Sequence, residues 1–215
     1  MQDLTQDKEE ETNMNISEQA TLWNESTNHV SRSALEAALP YIRAAPTDEG
    51  VVQMIVRRPG KGKREVLSEG ILDPAYGLQG DNWRQRGSSA TADRSAHPDM
   101  QINIMNSRVT AALAQDKSRW QLAGDQLYVD MDLSEANLPP GSRLSMGTAI
   151  LEITAEPHLG CRSFADRFGR DAVMFVNSDI GKKLHLRGLN ARVVLGGVVV
   201  PGDTVRKETV SKRDS

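Results

Sequence analysis

The chain has 215 residues, of which 38% are hydrophobic and 26% charged, so it lies in the ordinary globular range and can bury one good core; one domain plus a tail is the expectation. A formal net charge of -3 argues against a nucleic-acid partner held by bulk positive charge, and leaves room only for local basic clusters. One cysteine excludes an internal disulfide framework and any multi-cysteine zinc site; residues 1–12 lack the apolar core of a signal peptide and no later run reaches membrane-spanning length, so no membrane attachment and a cytoplasmic setting are expected.

Residues 1–28 are polar, with Leu4, Met14, Ile16, Leu22 and Trp23 too scattered to build a face, which predicts a disordered or weakly ordered arm. Leu35, Leu39 and Ile42 then recur at helical spacing, and Pro40 must kink that helix or restart it. Pro46 and Gly50 divide this N-terminal arm, residues 1–50, from the main domain, residues 51–215. The β-branched run 51–56, the basic stretch 57–63 and the short run 65–67 predict a hairpin with a cationic tip. Such a tip either binds an anion or stays solvated and guards a sheet edge.

Residues 77–96 carry many Gly, Ser, Arg and Asp without periodicity and predict a long loop, a kind of segment that is often functional. Residues 100–105 alternate as a strand does, which puts Gln101 and Asn103 on one face. A short helix over 107–115, a strand over 125–130, a firm turn at 137–141 and a strand over 149–154 follow. Beyond Cys161, the spacing of Phe164, Phe168, Val173, Phe175 and Val176 predicts two helical pieces broken at Gly169. Residues 191–203 predict two apolar strands about a Gly196-Gly197 turn. Many short strands with few helices predict a mainly β protein, a barrel with short helical inserts.

Cys161 lies in a kinked segment, Glu156-Pro157-His158-Leu159-Gly160-Cys161, between the strand over 149–154 and the first of those helical pieces. A thiolate is the form of cysteine that attacks, carries sulfur or binds metal, and neighbouring cations favour it. His158, Arg162, Arg167 and Arg170 are close in sequence. The competing reading makes Cys161 a small buried hydrophobe with no chemistry.

Several segments together resemble one family, the MOSC domain, named after the C-terminal domain of molybdenum-cofactor sulfurase. They are Gly77-Leu78-Gln79-Gly80-Asp81, then Gln101-Ile102-Asn103-Ile104-Met105-Asn106, then Ala123-Gly124-Asp125-Gln126-Leu127. Asp132-Leu133-Ser134-Glu135-Ala136-Asn137-Leu138-Pro139-Pro140-Gly141, Pro157-His158-Leu159-Gly160-Cys161 and Gly197-Val198-Val199-Val200-Pro201-Gly202-Asp203 complete the pattern. Each piece is weak alone, and their order carries the resemblance across residues 51–205. It implies a MOSC-type β-barrel, a molybdenum cofactor (molybdopterin), and a site around the family's cysteine, which falls on Cys161. The implied function is sulfur transfer through a Cys161 persulfide, or ligation of molybdenum by the same sulfur. An alternative within the family is reduction of N-hydroxylated compounds, which needs a separate electron donor because no flavin or iron-sulfur motif is present. The sulfurase proper also has a pyridoxal-phosphate domain that makes the persulfide. No segment here matches one, so a separate cysteine desulfurase is the implied loading partner.

A cofactor with a phosphate and a pterin needs cationic and amide partners. Arg162 and Arg84 are the candidates for the phosphate, Gln101 and Asn103 for the pterin edge, and His158 for tuning the thiolate as an imidazolium. Competing structural roles are a surface cap for Arg162, backbone satisfaction for Asn103, a bend hydrogen bond for His158 and a turn-fixing role for Asp81. A third class of reading is a non-catalytic barrel that binds a small ligand or a protein.

Overall fold

The computed structural model describes residues 29–208, so the expectation for residues 1–28 lies outside the described residues. Two short helices come first, α1 (Arg32–Ala37) and α2 (Leu39–Arg43). Pro40 sits in the first turn of α2, where its missing N–H costs nothing, so it restarts the helix as the sequence allows.

Seven strands close a barrel in the order β11 (Thr204–Lys207), β7 (Arg143–Met146), β8 (Ala149–Ile153), β9 (Leu189–Leu195), β5 (Ile102–Asn106), β6 (Leu127–Asp130), β1 (Glu49–Arg57) and back to β11. The expected hairpin is present: β2 (Glu65–Leu67) pairs antiparallel with the far end of β1, through Ile55↔Leu67 and Arg57↔Glu65. Only β5 and β6 run parallel, and a parallel pair needs a crossover. Helix α4 (Ser107–Ala114) and the 3-10 turns of Lys117–Ala123 supply it.

Alternation along the strands sorts the side chains into two cores. Val52, Ile55, Ile102, Ile104, Leu127, Val129, Leu144, Leu151 and Val205 fill the barrel. Met54, Val56, Met105 and Tyr128 face outward and are covered by Val109, Leu113, Phe164, Phe168 and Phe175. A β-bulge at Gln53 keeps Val52 and Ile55 both inside although three positions separate them. Helices α5 (Arg162–Phe168) and α6 (Arg170–Val176), broken at Gly169 as predicted, form part of the outer layer with α7 (Asp179–Lys183). Asn103 lies between Ile102 and Ile104, so it points to the outer side of the wall with Met105.

One element differs from the sequence-based expectation. The Gly196-Gly197 pair is not a hairpin turn: β10 (Gly197–Val199) pairs with β3 (Gly70–Asp73), which pairs with β4 (Gly77–Leu78), in a small separate sheet. A Cβ on Gly197 would lie 2.5 Å from the Thr148 backbone, and one on Gly196 3.0 Å from the Leu72 carbonyl. Glycine is needed here because the chain passes close to neighbouring backbone as it leaves the barrel, not because it reverses direction. The loop over 77–96 is irregular apart from β4 and the single turn α3 (Trp83–Arg86).

Barrel packing sets the stability. Ile104→Ala, at a fully buried position, should lose about 2–5 kcal/mol. Val198→Ala, on the exposed face of the small sheet, should stay within about 0.5 kcal/mol of the parent, both read from urea denaturation midpoints.

Candidate functional site

The basic tip after β1 does not simply project into water. Arg58 is buried, and Asp81 takes four bonds around it: from the Arg58 backbone N–H, Nε and Nη2, each at 2.9 Å, and from the Trp83 N–H at 3.0 Å. Arg58 Nη1 donates to Asn103 Oδ1 and to the Gly124 carbonyl, both at 3.0 Å. Asn103 and Asn190 are register partners on β5 and β9, and Asn103 Nδ2 donates to Asn190 Oδ1 at 2.6 Å. Asn190 Nδ2 in turn donates to the carbonyls of Glu156 and Pro157, at 3.1 and 3.3 Å. This chain of bonds runs from the end of β1 to the segment that carries Cys161.

A second buried pair stands beside it. Arg187 Nη1 donates to both carboxylate oxygens of Asp125, at 2.9 and 2.8 Å, and Nη2 to the Ala123 carbonyl at 3.1 Å. The Arg187 guanidinium also lies over the Phe164 ring, 4.8 Å from its centre. Burial pushes the Asp125 carboxyl up, and Arg187 and Arg58 oppose that shift.

These pairs form part of the wall of a cavity of about 570 Å3. Six cationic residues line it, Arg58, Lys61, Arg64, Arg86, Arg167 and Arg187, and no acidic residue does. Gly124, at φ 91°, leaves the space between two of them: a Cβ there would lie 3.4 Å from Arg64 Nη2 and 3.6 Å from Arg167 Nη1. Burial, then the Arg167 and Arg58 charges, lower the Arg64 pKa. Enclosure of the Arg86 guanidinium and the Arg58 charge do the same for Arg86, although that residue as a whole is exposed. Arg64 Nε and Asn82 Oδ1, both on lining residues, are buried without a hydrogen-bond partner, whereas His158 Nδ1 faces Asp125 Oδ1 at 3.5 Å. Native interiors rarely leave such groups unpaired, and a cluster of them marks where a ligand's polar atoms belong. The chemistry of this wall is that of an anion site.

Cys161 lines the same cavity and is exposed, so the inert buried-hydrophobe reading does not describe it. Its backbone carbonyl accepts from the Phe164 and Ala165 N–H groups at the start of α5. The preceding residue is clamped: Asn177 Oδ1 accepts from the Gly160 N–H at 2.8 Å and Asn177 Nδ2 donates to the Gly160 carbonyl at 2.9 Å. His158 also lines the cavity. Burial, then the charges of Arg187, Arg58 and Arg86, hold its imidazole well below the usual range. The neutral ring is therefore the form present, not the imidazolium that would tune a thiolate.

Of the residues singled out in the sequence, Cys161, His158, Asn103 and Arg167 share this cavity. Gln101 does not: its Nε2 donates to the Pro74 carbonyl and its Oε1 accepts from the Val193 N–H, both at 2.8 Å. Arg84 stacks over the Tyr76 ring at 4.6 Å and lines a different cleft with Asp73 and Gln79. Arg162 is exposed and outside the lining. Sequence reasoning gave no role to Arg86, Arg187, Asn177 or Asn190. Arg58 and Arg64 lay in or beside the basic tip, which was a usable signal.

Because His158 is neutral when folded, only the unfolded chain takes up its proton as the pH falls below about 6.5. The stability this contributes is complete above that pH and is lost toward acid, by up to about 1.4 kcal/mol per pH unit. His158→Gln should therefore show a shallower decline in stability than the parent from about pH 7 to about pH 5, measured by urea denaturation.

No protein-family profile matches the sequence and no curated protein matches it. Solved structures do. The chain is similar to the YuaD protein from Bacillus subtilis, with 18% identity over 76% of this chain and 97% of that one, at a TM-score of 0.56. A hypothetical protein is similar at 20% identity, over 76% of this chain and 70% of that one, with a TM-score of 0.51. YiiM from Escherichia coli matches at 18% identity over 75% and 71% of the two chains, with a TM-score of 0.46. At these identities the first two likenesses concern the fold alone, a mainly β closed barrel with short helices.

Proposed function

We propose that the cationic cavity binds a molybdenum cofactor of the molybdopterin kind and that Cys161 holds sulfur there as a persulfide. The observation that carries this reading is the presence of one exposed cysteine in the wall of a cavity lined by six cations and no carboxylate. The residues fit such a group. Arg64 and Arg167, on either side of Gly124, would take its phosphate, and the unpartnered Asn82 Oδ1 would accept from its pterin edge. When bound, the cofactor supplies a metal centre able to accept sulfur.

The chain's own part is simple chemistry. The Cys161 thiolate attacks the terminal sulfur of a donor persulfide, the donor's S–S bond breaks, and the donor leaves as a thiolate; the new S–S bond on Cys161 keeps the electron count unchanged. An exposed thiol suits delivery by a separate protein, and a cysteine desulfurase persulfide is the donor this step requires. Fixed cations beside the loaded sulfur hold the anionic acceptor in place, while Asn177 and Asn190 fix the segment on which it rides.

The protein purified from a molybdenum-replete host should carry molybdenum and pterin, and Arg64→Ala combined with Arg167→Ala should lose most of both. Incubation with a cysteine desulfurase and cysteine should add the mass of one sulfur atom to the parent, removable by dithiothreitol, and none to Cys161→Ala. Cofactor that disappears in Cys161→Ala without any added sulfur on the parent would instead make Cys161 a metal ligand. Neither cofactor nor added sulfur overturns the proposal and leaves a non-catalytic barrel.

A further inference from the structure

We infer that a second cavity, backing onto the segment that carries Cys161, is a binding site for a small organic molecule with an apolar body and a carboxylate head. This cavity is about 400 Å3, within the range of about 300–1,000 Å3 typical of small-molecule sites. His158, Leu159 and Arg187 line both it and the cationic cavity, so the two lie on opposite sides of a thin partition three residues from the thiol. The lining is otherwise unlike that of its neighbour. Leu138, Ile153, Val176 and Leu189 are buried and supply apolar walls that exclude water from whatever body lies against them.

The polar fittings favour an acceptor head. Lys182 and Lys183, exposed at the end of α7, make no side-chain hydrogen bond or ion pair among the described residues. In the partition itself, Arg187 is only 7% exposed, and its Nε–H, which can only donate, has no partner. Two carboxylates also line the cavity. Glu156 faces His97 Nε2 at 3.9 Å, and Glu135, whose backbone N–H donates to the Lys183 carbonyl at 3.0 Å, forms no ion pair with either lysine among the described residues. A carboxylate answers these unpaired donors, and an apolar chain or ring answers the walls. The assignment does not rest on the cofactor reading, because such a ligand needs neither molybdenum nor a loaded Cys161.

Octanoate is a suitable probe, titrated calorimetrically into the full chain. Saturable binding at one site is expected, weakened about fivefold or more by Lys182→Ala combined with Lys183→Ala. Ala155→Trp, which would fill the cavity from an exposed position, should reduce affinity at least about tenfold. Arg64→Ala, in the other cavity, should leave octanoate binding unchanged, and octanol and octylamine should bind more weakly than octanoate. The lysine variants lie on an exposed surface away from the core, so they decide the matter even if Ala155→Trp does not fold. No saturable binding, octanol or octylamine binding as well as octanoate, or loss of binding in Arg64→Ala with the lysine variants unaffected would each overturn the assignment.

Discussion

The buried ion pair between Arg58 and Asp81 is the constraint on which the site depends. Burying two charges is costly unless the remaining donors and acceptors are also satisfied, and here nearly all are: Asp81 takes four bonds, and Arg58 Nη1 donates to Asn103 and Gly124. That requirement brings the end of β1, the turn after β4, the outer face of β5 and the approach to β6 to one point. Asn103 extends the network to Asn190, and Asn190 to the carbonyls of Glu156 and Pro157. The segment bearing Cys161 is thus anchored to the barrel wall by hydrogen bonds rather than by apolar packing. Polar anchoring of this kind specifies one arrangement where apolar contacts would tolerate several.

The cationic wall has two classes of charge with different duties. Arg58 and Arg187 are matched by buried carboxylates and act as structure as well as surface. Lys61, Arg64, Arg86 and Arg167 have no carboxylate partner among the described residues, so the wall keeps a net positive field. Burial first, and then the charges of neighbouring arginines, lower the Arg64 and Arg86 pKa values, and the second of these causes is the same imbalance met from inside the cluster. A formal net charge of -3 conceals this, because net charge sums over a surface whereas a ligand meets the local field.

The barrel was largely legible because its main strands are β-branched or alternating runs, and Gly169 and Pro40 mark helix boundaries by backbone chemistry that acts locally. Strands β3, β7 and β11 have four residues each, too few for a period-2 pattern to stand out. The site was legible only where chemistry is intrinsic to a residue, as with the single cysteine. Arg187 pairs with a residue 62 positions away, and Asn103 with one 87 positions away, and no local pattern encodes such partners. Arg84 and Arg86 illustrate the limit within one turn of helix: Arg84 stacks on Tyr76 in one cleft, while Arg86 lines the cationic cavity. Gln101 does not share a strand face with Asn103: it precedes β5 in helical backbone (φ -71°, ψ -45°) and is engaged at both ends by Pro74 and Val193, contacts set by tertiary structure.

The halves of the site also differ in how they are built. The cationic half is assembled at the ends of barrel strands, where β1, β5 and β6 hold one another in register. The thiol sits outside that register, on a segment fixed at two points, by Asn190 before His158 and by Asn177 at Gly160. On the proposed function, a rigid cradle beside an exposed, tethered sulfur separates two demands that conflict at a single buried position. Holding an anion requires preorganised donors shielded from water, whereas exchange with another protein requires a sulfur that the partner can reach. Placing Cys161 on the connection between β8 and α5 would meet both demands of that proposal, because the connection follows the end of a barrel strand and carries an exposed residue that lines the cavity.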